Sequence, residues 1–403
     1  MINLKTIEEA FEFVRNGASI KQQDGATGIP ITRIETIWDS TIDKKRFGYA
    51  NIEDIADYKN HLLQHGDILM SHINSPKHLG KCAIYKNNPD TLIHGMNLLN
   101  LRPNKSVLSP QFALYFLSSN GFRQEITKIS NQSVNQASFS TSSFKKLKIS
   151  LPPLAEQHKI AAILDAADSL RQKDQQLVER YTTLSQSLFL EMFGDPVTNP
   201  MGWERKKLGD VSNKVTDGTH QSPRFLSEGV PFLLVSNIVN NQINFNAKKF
   251  ISQEDYETLT KNTPIEKDDI LYTSVGSYGN PAIVGAETKF CFQRHIAHIK
   301  PNHQLVNVKF LHSMLITSFI KNQADKLARG VAQKTINLKE IKSLEIYLPT
   351  LKAQNQFAES IKLIEAQKQQ AQASLHKSEA LFNSLLQQAF TGELTRAPME
   401  RAA

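Results

Sequence analysis

Glu340-Ile-Lys342 spells the E-x-K tail of a metal-dependent nuclease site. Such a site needs its letters built into a surrounding constellation, and the corresponding stretch around Phe144 carries no counterpart, so a surface helix turn is the better reading. The 12 His show neither H-E-x-x-H nor any paired metal-ligand spacing. No G-x-x-x-x-G-K-[ST] phosphate loop, no G-x-G-x-x-G after a strand and no N-P-P-[YF] tetrapeptide occurs. Cys82 and Cys291 are solitary, which removes a Cys-type zinc site and a disulfide framework and fits a reducing cytoplasm. No signal peptide is expected in the charged opening MINLKTIEEAFEFVRNG, and no apolar run is long enough to cross a bilayer. What remains is charge. A formal +8 over 403 residues suits a polyanionic partner, and the excess is +5 on residues 1–150 and +5 on residues 203–347.

The elements that carry this charge come in two copies. LPPLAEQHKIAAIL from Leu151 returns as LPTLKAQNQFAESI from Leu348, an offset of 197 residues. The same offset matches Gln157 with Gln354, Leu184 with Leu381, Leu188 with Leu385 and Phe193 with Phe390. Upstream it drifts as loops vary: GDILMS from Gly66 meets DDILYT from Asp268, and GIPITRIETI from Gly28 meets GVPFLLVSNI from Gly229. The chain therefore reads as a tandem repeat of one unit, a globular part followed by a long helix.

Short apolar runs bounded by Gly, Pro, Asn and Asp predict strands at 31–34, 68–70 and 82–85 and, in the second copy, at 232–235, 270–272 and 282–284. SPQFALYFLSS and NVKFLHSMLITSFI predict one amphipathic helix each. No Gly or Pro interrupts residues 155–193, which predicts a helix of about 39 residues and roughly 58 Å. Heptad rows Ile163, Leu170, Leu177, Leu184 and Ala167, Asp174, Tyr181, Leu188 predict a coiled-coil seam. The second helix offers Phe357, Ile364, Ala371, Ser378, Leu385 and Ile361, Lys368, Leu375, Phe382, Ala389. The expected class is α+β: two similar mixed domains at 1–153 and 203–349 alternate with long helices at 154–194 and 350–391. A linker at 195–202 and a polar tail at 392–403 complete the chain.

Several motifs in register, GWERKKLGDVSNKVTDGTHQSPRFLSEGVPFLLVSNI (202–238), DDILYTSVGSYGNPAIV (268–284), QRHIAHIKP (293–301) and LPTLKAQNQF, resemble the DNA specificity subunit of type I restriction–modification systems. The first copy resembles it through IEEAFEFVRNGASIKQQDGATGIPITRIETI, HGDILMSHINSPKHLGKCAIY and LPPLAEQHKIAAILDA. It lacks the W-x-x-x-x-L-G-D entry found at Trp203–Asp210, and HINSPKHLGK replaces SVGSYGN. The resemblance implies a chain without catalysis of its own, in which each target recognition domain reads half of a split double-stranded DNA target. It implies helices paired as an antiparallel coiled coil, with pseudo-two-fold symmetry. It further implies two docked modification subunits that methylate adenine N6 with S-adenosylmethionine, and allows a restriction subunit that uses ATP and Mg. A coiled-coil scaffold with protein-binding globular units, or an enzyme with an unrecognised site, are the competing classes.

Base edges are read by hydrogen-bonding side chains, while Lys and Arg on phosphates supply position and salt-dependent affinity. In the second copy the candidates are Thr219, His220, Gln221, Ser222 and Arg224, then Ser274, Ser277 and Tyr278, then Arg294, Arg329, Gln333 and Lys334. By correspondence the first offers Gln22, Gln23, Arg33, His72, Asn74, Lys77, Lys81, Asn97, Asn131 and Gln132. For each, the bland alternative is a solvated turn residue. On the helices, Gln157, Ile160, Leu164, Gln354, Phe357 and Ile361 are the expected partner-binding positions. No metal site and no cofactor of the chain itself is expected.

Overall fold

The computed structural model describes residues 3–38, 40–133, 135–220, 222–285, 289–330, 333–391 and 393–394. The candidate Gln221 and nearly all of the expected tail lie outside them. The chain divides into two compact units, one of Met1–Gln175 with Ala373–Ala403, the other Gln176–Gln372. The division falls within the long helices instead of at their ends, because each half-helix packs on the globular part of its own unit.

Each unit is built on a four-stranded antiparallel sheet with the same strand order. In the first unit this runs Phe11–Asn16, Leu98–Pro103, Ile68–Ser71, Cys82–Ile84; in the second, Ser212–Asp217, Ile296–Pro301, Ile270–Thr273, Pro281–Ile283. The register repeats as well: Met70 faces Leu99, and Tyr272 faces Ala297. Against one sheet face lie helices Pro110–Ser118 and Asn120–Lys128, or Val308–Ile316 and Ser318–Leu327. The single helix expected after Val306 is thus two, since Thr317 turns extended and its hydroxyl caps the second through the Ile320 N–H. The strand expected at 31–34 is absent as such: Ile31 forms isolated bridges, and Ile34–Thr36 winds into a 3-10 turn. Ile68, Met70, Leu99, Phe112, Phe144 and Ile149 build the first core; Ile270, Tyr272, Ile299, Phe310, Ile341 and Ile346 build the second.

The long helices span Leu154–Phe193 and Leu351–Thr391. In the first unit Ile160, Ala161 and Leu164 share a core with Phe382, Leu385, Ala389 and Phe390, and the Arg171 guanidinium lies 5.9 Å from the Phe382 ring centre. In the second, Phe193 meets Phe357 edge-on at 5.3 Å. The helices therefore pair antiparallel within each unit.

The six helix positions expected to meet partners face inward instead. Ile160, Leu164, Phe357 and Ile361 are core residues, and Gln157 and Gln354 have no exposed surface. Gln157 Oε1 accepts from the Ser109 N–H at 2.9 Å, and its Nε2 donates to Val107 O at 2.8 Å and Pro152 O at 2.9 Å. Gln354 repeats this with the Asn307 N–H at 2.8 Å, Leu305 O at 3.2 Å and Pro349 O at 2.8 Å. Each amide thus satisfies three buried backbone groups at the point where a helix begins, and no shorter or apolar side chain can do so. The row Ile163, Leu170, Leu177 and Leu184 moves the opposite way: it is 39%, 46%, 39% and 48% exposed. A helix that must pack on a globular part as well as on its mate turns the neighbouring 157, 160, 164, 167 face inward, about 100° round from the predicted row.

One carboxylate is buried in each sheet at its matching place. Asp67 accepts from Arg102 at 2.7 Å and 2.8 Å and from the Gln64 N–H at 2.9 Å. Asp269 lies 2.6 Å from His298 Nε2 and accepts from Lys300 at 2.9 Å and from the Glu266 N–H at 2.8 Å. Burial alone would push the Asp269 carboxyl up, but these bonds outweigh it and hold it below its ordinary value.

Two outcomes are expected. Gln354→Ala orphans three buried backbone groups and should cost about 2–4 kcal/mol in urea denaturation, with its hydrophobic neighbours intact; a loss below about 0.5 kcal/mol would remove the latch role. Because the folded Asp269 carboxyl titrates below its unfolded value of about 3.9, its stabilisation is complete above that pH and is lost as pH falls through the folded value. Asp269→Asn should therefore be less stable at neutral pH and show a flatter fall of stability with acid, read from denaturation midpoints across a pH series.

Candidate nucleic-acid interface

In the second unit four segments far apart in sequence meet at one end of the sheet. The Thr219 N–H donates to Phe292 O at 3.1 Å, and the Arg294 N–H donates back to Thr219 O at 3.1 Å. The Ser274 N–H reaches His295 O at 3.0 Å, and the Ile336 N–H reaches Ser274 O at 2.9 Å. The Gly276 N–H donates to Lys334 O at 3.0 Å, while Arg329 and Thr335 exchange two bonds of 2.8 Å. The strand ends thus zip the predicted loops into one surface. Gly218 is required for it: a Cβ there would stand 2.2 Å from Phe292 O. Gly17 is under the same constraint in the first unit, 2.0 Å from Gly95 O.

His220, Ser222, Arg224, Ser277, Arg294, Arg329, Gln333 and Lys334 are exposed, and Thr219 is half-buried. Arg224, Arg294 and Lys334 make no ion pair with any described residue, and Arg329 lies a loose 3.7 Å from Glu340. His220 Nε2 sits 3.0 Å from Asp217 Oδ2. Cations left unpaired at a surface are free to take phosphates. Ser274 and Tyr278 are placed differently. Both side chains are buried, and the Tyr278 hydroxyl donates to Asp325 Oδ1, on an exposed position, at 2.6 Å. Glu340 lies in the short helix Leu338–Lys342 with a largely buried side chain. Among the described residues no group of three or more His, Cys, Asp or Glu is placed to hold a metal ion.

The first unit repeats the backbone scaffold with other side chains. The Ala18 N–H donates to His94 O at 2.8 Å, and the Met96 N–H donates to Ala18 O at 2.9 Å, the pattern of Thr219 with Phe292 and Arg294. The Phe139 N–H donates to His72 O at 3.2 Å as Ile336 does to Ser274. Strands Ile73–Asn74, Ala137–Ser138 and Asn131–Gln132 join in a small sheet that brings Asn74, Asn131 and Gln132 together. Lys77 and Lys81 stand on the adjoining turn, and burial and then these two ammonium groups hold His78 below its ordinary pKa. Asn97, with φ of 70°, follows Met96. His72 is buried edge-on to Phe139 at 6.2 Å. Arg33 Nε donates to Gln22 Oε1, and the Gln23 N–H donates to Tyr49 O. Ser133, Asn135 and Gln136 are exposed at the tip of the small sheet and escaped the sequence reading. The 197-residue offset from Gln333 points straight at Gln136.

The family described as "Type I restriction modification DNA specificity domain" matches residues 2–180 and 200–375. The putative type I restriction enzyme MjaX specificity subunit of Methanocaldococcus jannaschii is 35% identical over 390 residues, covering 90% of this chain and 86% of the relative. The EcoBI specificity subunit of Escherichia coli is 25% identical over 293 residues, covering 65% of this chain and 62% of its own. Among solved structures, the type I restriction–modification S subunit from M. genitalium shares the fold, with a TM-score of 0.59, 16% identity and 96% of each chain covered. With matching halves, a match over both of them and a relative alike along nearly its whole length, this chain belongs to the type I restriction–modification DNA specificity family.

Proposed function

We infer that this chain is the non-catalytic DNA-reading subunit of a type I complex, and that its two units each read one half of a bipartite double-stranded target. The observation that carries this is the same end-of-sheet scaffold built twice with different exposed side chains. Identical halves would read identical half-targets; here Arg294 stands where the first unit has Met96, and Arg329 where it has Asn131. Arg224, Arg294 and Lys334 hold phosphates, while Ser277, His220 and Gln333 are of a type and exposure to address base edges.

The partners in this reading are two modification subunits that use S-adenosylmethionine, with a restriction subunit using ATP and Mg as a further member. Their helices take the exposed row Ile163, Leu170, Leu177 and Leu184, whose seven-residue spacing is that of a knobs-into-holes seam. Methylation of adenine N6 belongs to those subunits.

Replacing Arg224, Arg294 and Lys334 together by Ala should lower the slope of log K against log salt by about 3, at roughly 0.9 per phosphate. Discrimination at one half-target should stay at the wild-type level. Anisotropy titrations of the complex across a salt series check this; an unchanged slope, or equal loss of discrimination in both halves, would refute the two-reader assignment. Leu170→Glu with Leu177→Glu should abolish co-purification with the modification subunits while changing the chain's own stability by no more than about 0.5 kcal/mol per site. Normal assembly of that variant would place the seam elsewhere.

A further inference from the structure

The turn between strands Ile270–Thr273 and Pro281–Ile283 is where the two units differ most in length. Backbone bonds from Gly80 to Ser71 and from Gly279 to Thr273 mark equivalent ends, and the first unit's loop between them is three residues longer. In the second unit one side of the turn is zipped to His295, Lys334 and Ile336. The outer side, carrying the exposed Ser277, depends on side chains. Thr273 Oγ1 and Asn280 Nδ2 both donate to Ser277 O at 2.7 Å. The buried Tyr278 then lies against helix Ser318–Leu327, where its hydroxyl meets the exposed Asp325. Asp325 also takes Lys321 Nζ at 3.1 Å, and that ammonium stands 4.1 Å from the centre of the Tyr278 ring. Asp325 thus joins the hydroxyl to a cation that lies over the face of the same ring. The bond to Asp325, first among the causes, also holds the Tyr278 hydroxyl above its ordinary pKa. The first unit has Leu79 at this place, partly buried against the core. Both units thus turn the residue before the glycine inward, but the second tethers it by a directional bond.

We propose that Tyr278 is a positioning residue for DNA reading: its bond to Asp325 ties the turn to helix Ser318–Leu327 and fixes where Ser277 and the neighbouring Gln333 meet base edges. This rests on the DNA-reading function above. A base-edge hydrogen bond fails once its donor moves by a few tenths of an ångström, whereas phosphate attraction tolerates such movement. Loosening the turn therefore costs discrimination, not salt-dependent affinity.

The test uses the complex with its modification subunits and duplexes carrying the target, located from methylated adenines in DNA of cells expressing the complex, with single-base variants of each half. Tyr278→Phe keeps the ring beneath Lys321 and removes only the hydroxyl. Discrimination should fall about tenfold at one half-target and stay at wild type at the other, with an unchanged salt slope. Asp325→Ala removes the same acceptor together with the Lys321 pair, so discrimination should fall at the same half-target by at least as much, and the double variant should be no worse than Asp325→Ala alone. Gln354→Ala destabilises the same unit away from the turn and should lower the melting temperature while leaving discrimination intact. Unchanged discrimination in folded Tyr278→Phe, equal loss at both half-targets, or additive losses in the double variant would each overturn the positioning role. A wild-type complex that binds all duplexes alike would overturn the DNA-reading function itself, and the proposal with it.

Discussion

A glutamine amide at the first turn of each long helix is the constraint on which the architecture depends. Gln157 and Gln354 each bridge the carbonyl of the proline that ends a strand segment and two backbone groups of the loop leading into a neighbouring helix. A helix start buried against a domain would otherwise leave donors and acceptors without water or partner. With the amide in place the helix departs in one direction only. Everything further along it, the inward face at Ile160 and Leu164 or at Phe357 and Ile361, then follows from the 3.6-residue period.

Above that latch the two units keep their backbones and change their side chains. Asp67 and Asp269 occupy the same strand entry and accept the same kind of backbone N–H, yet one is neutralised by Arg102 with help from Asn100 and the other by Lys300 with His298. Gly17 and Gly218 permit the same close approach of two backbones. Buried parts of the repeat are restrained by sterics and by the cost of an unpaired polar group, which leaves few solutions. The loop surfaces carry no such restraint. They differ in charge, as with Arg329 and Asn131, and in length at the turn after the third strand of each sheet order. That separation between fixed interior and free surface is what the proposed reading of two different half-targets by one repeated scaffold requires.

The repeat and the bounds of the two long helices to within a residue were legible in the sequence, because periodicity, Gly and Pro placement and internal matching are local signals. The heptad row at Ile163 was legible as a row but not as a direction. Apolar spacing says which residues share a face, not what covers it, and the mate of this helix is only one of two things it packs against. Gln157 and Gln354 were picked out as special for their recurrence, but their partners at Ser109 and Asn307 lie near in space and far in sequence. Tyr278 read as a solvent-facing donor among glycines; nothing near it in the chain announces Asp325, 47 residues on.

By itself the sequence determined that the molecule is one unit written twice, that its excess positive charge lies on the globular parts, and that a long uninterrupted helix follows each. Those properties are sums or periods along the chain. Only the tertiary structure decided which polar groups point inward and which outward, since that depends on the sheet ends that zip Thr219, Ser274, Arg294 and Arg329 into one surface and carry the Tyr278 ring beneath it. A hydrogen bond has a direction as well as a length, and directions are settled only when elements distant along the chain have packed.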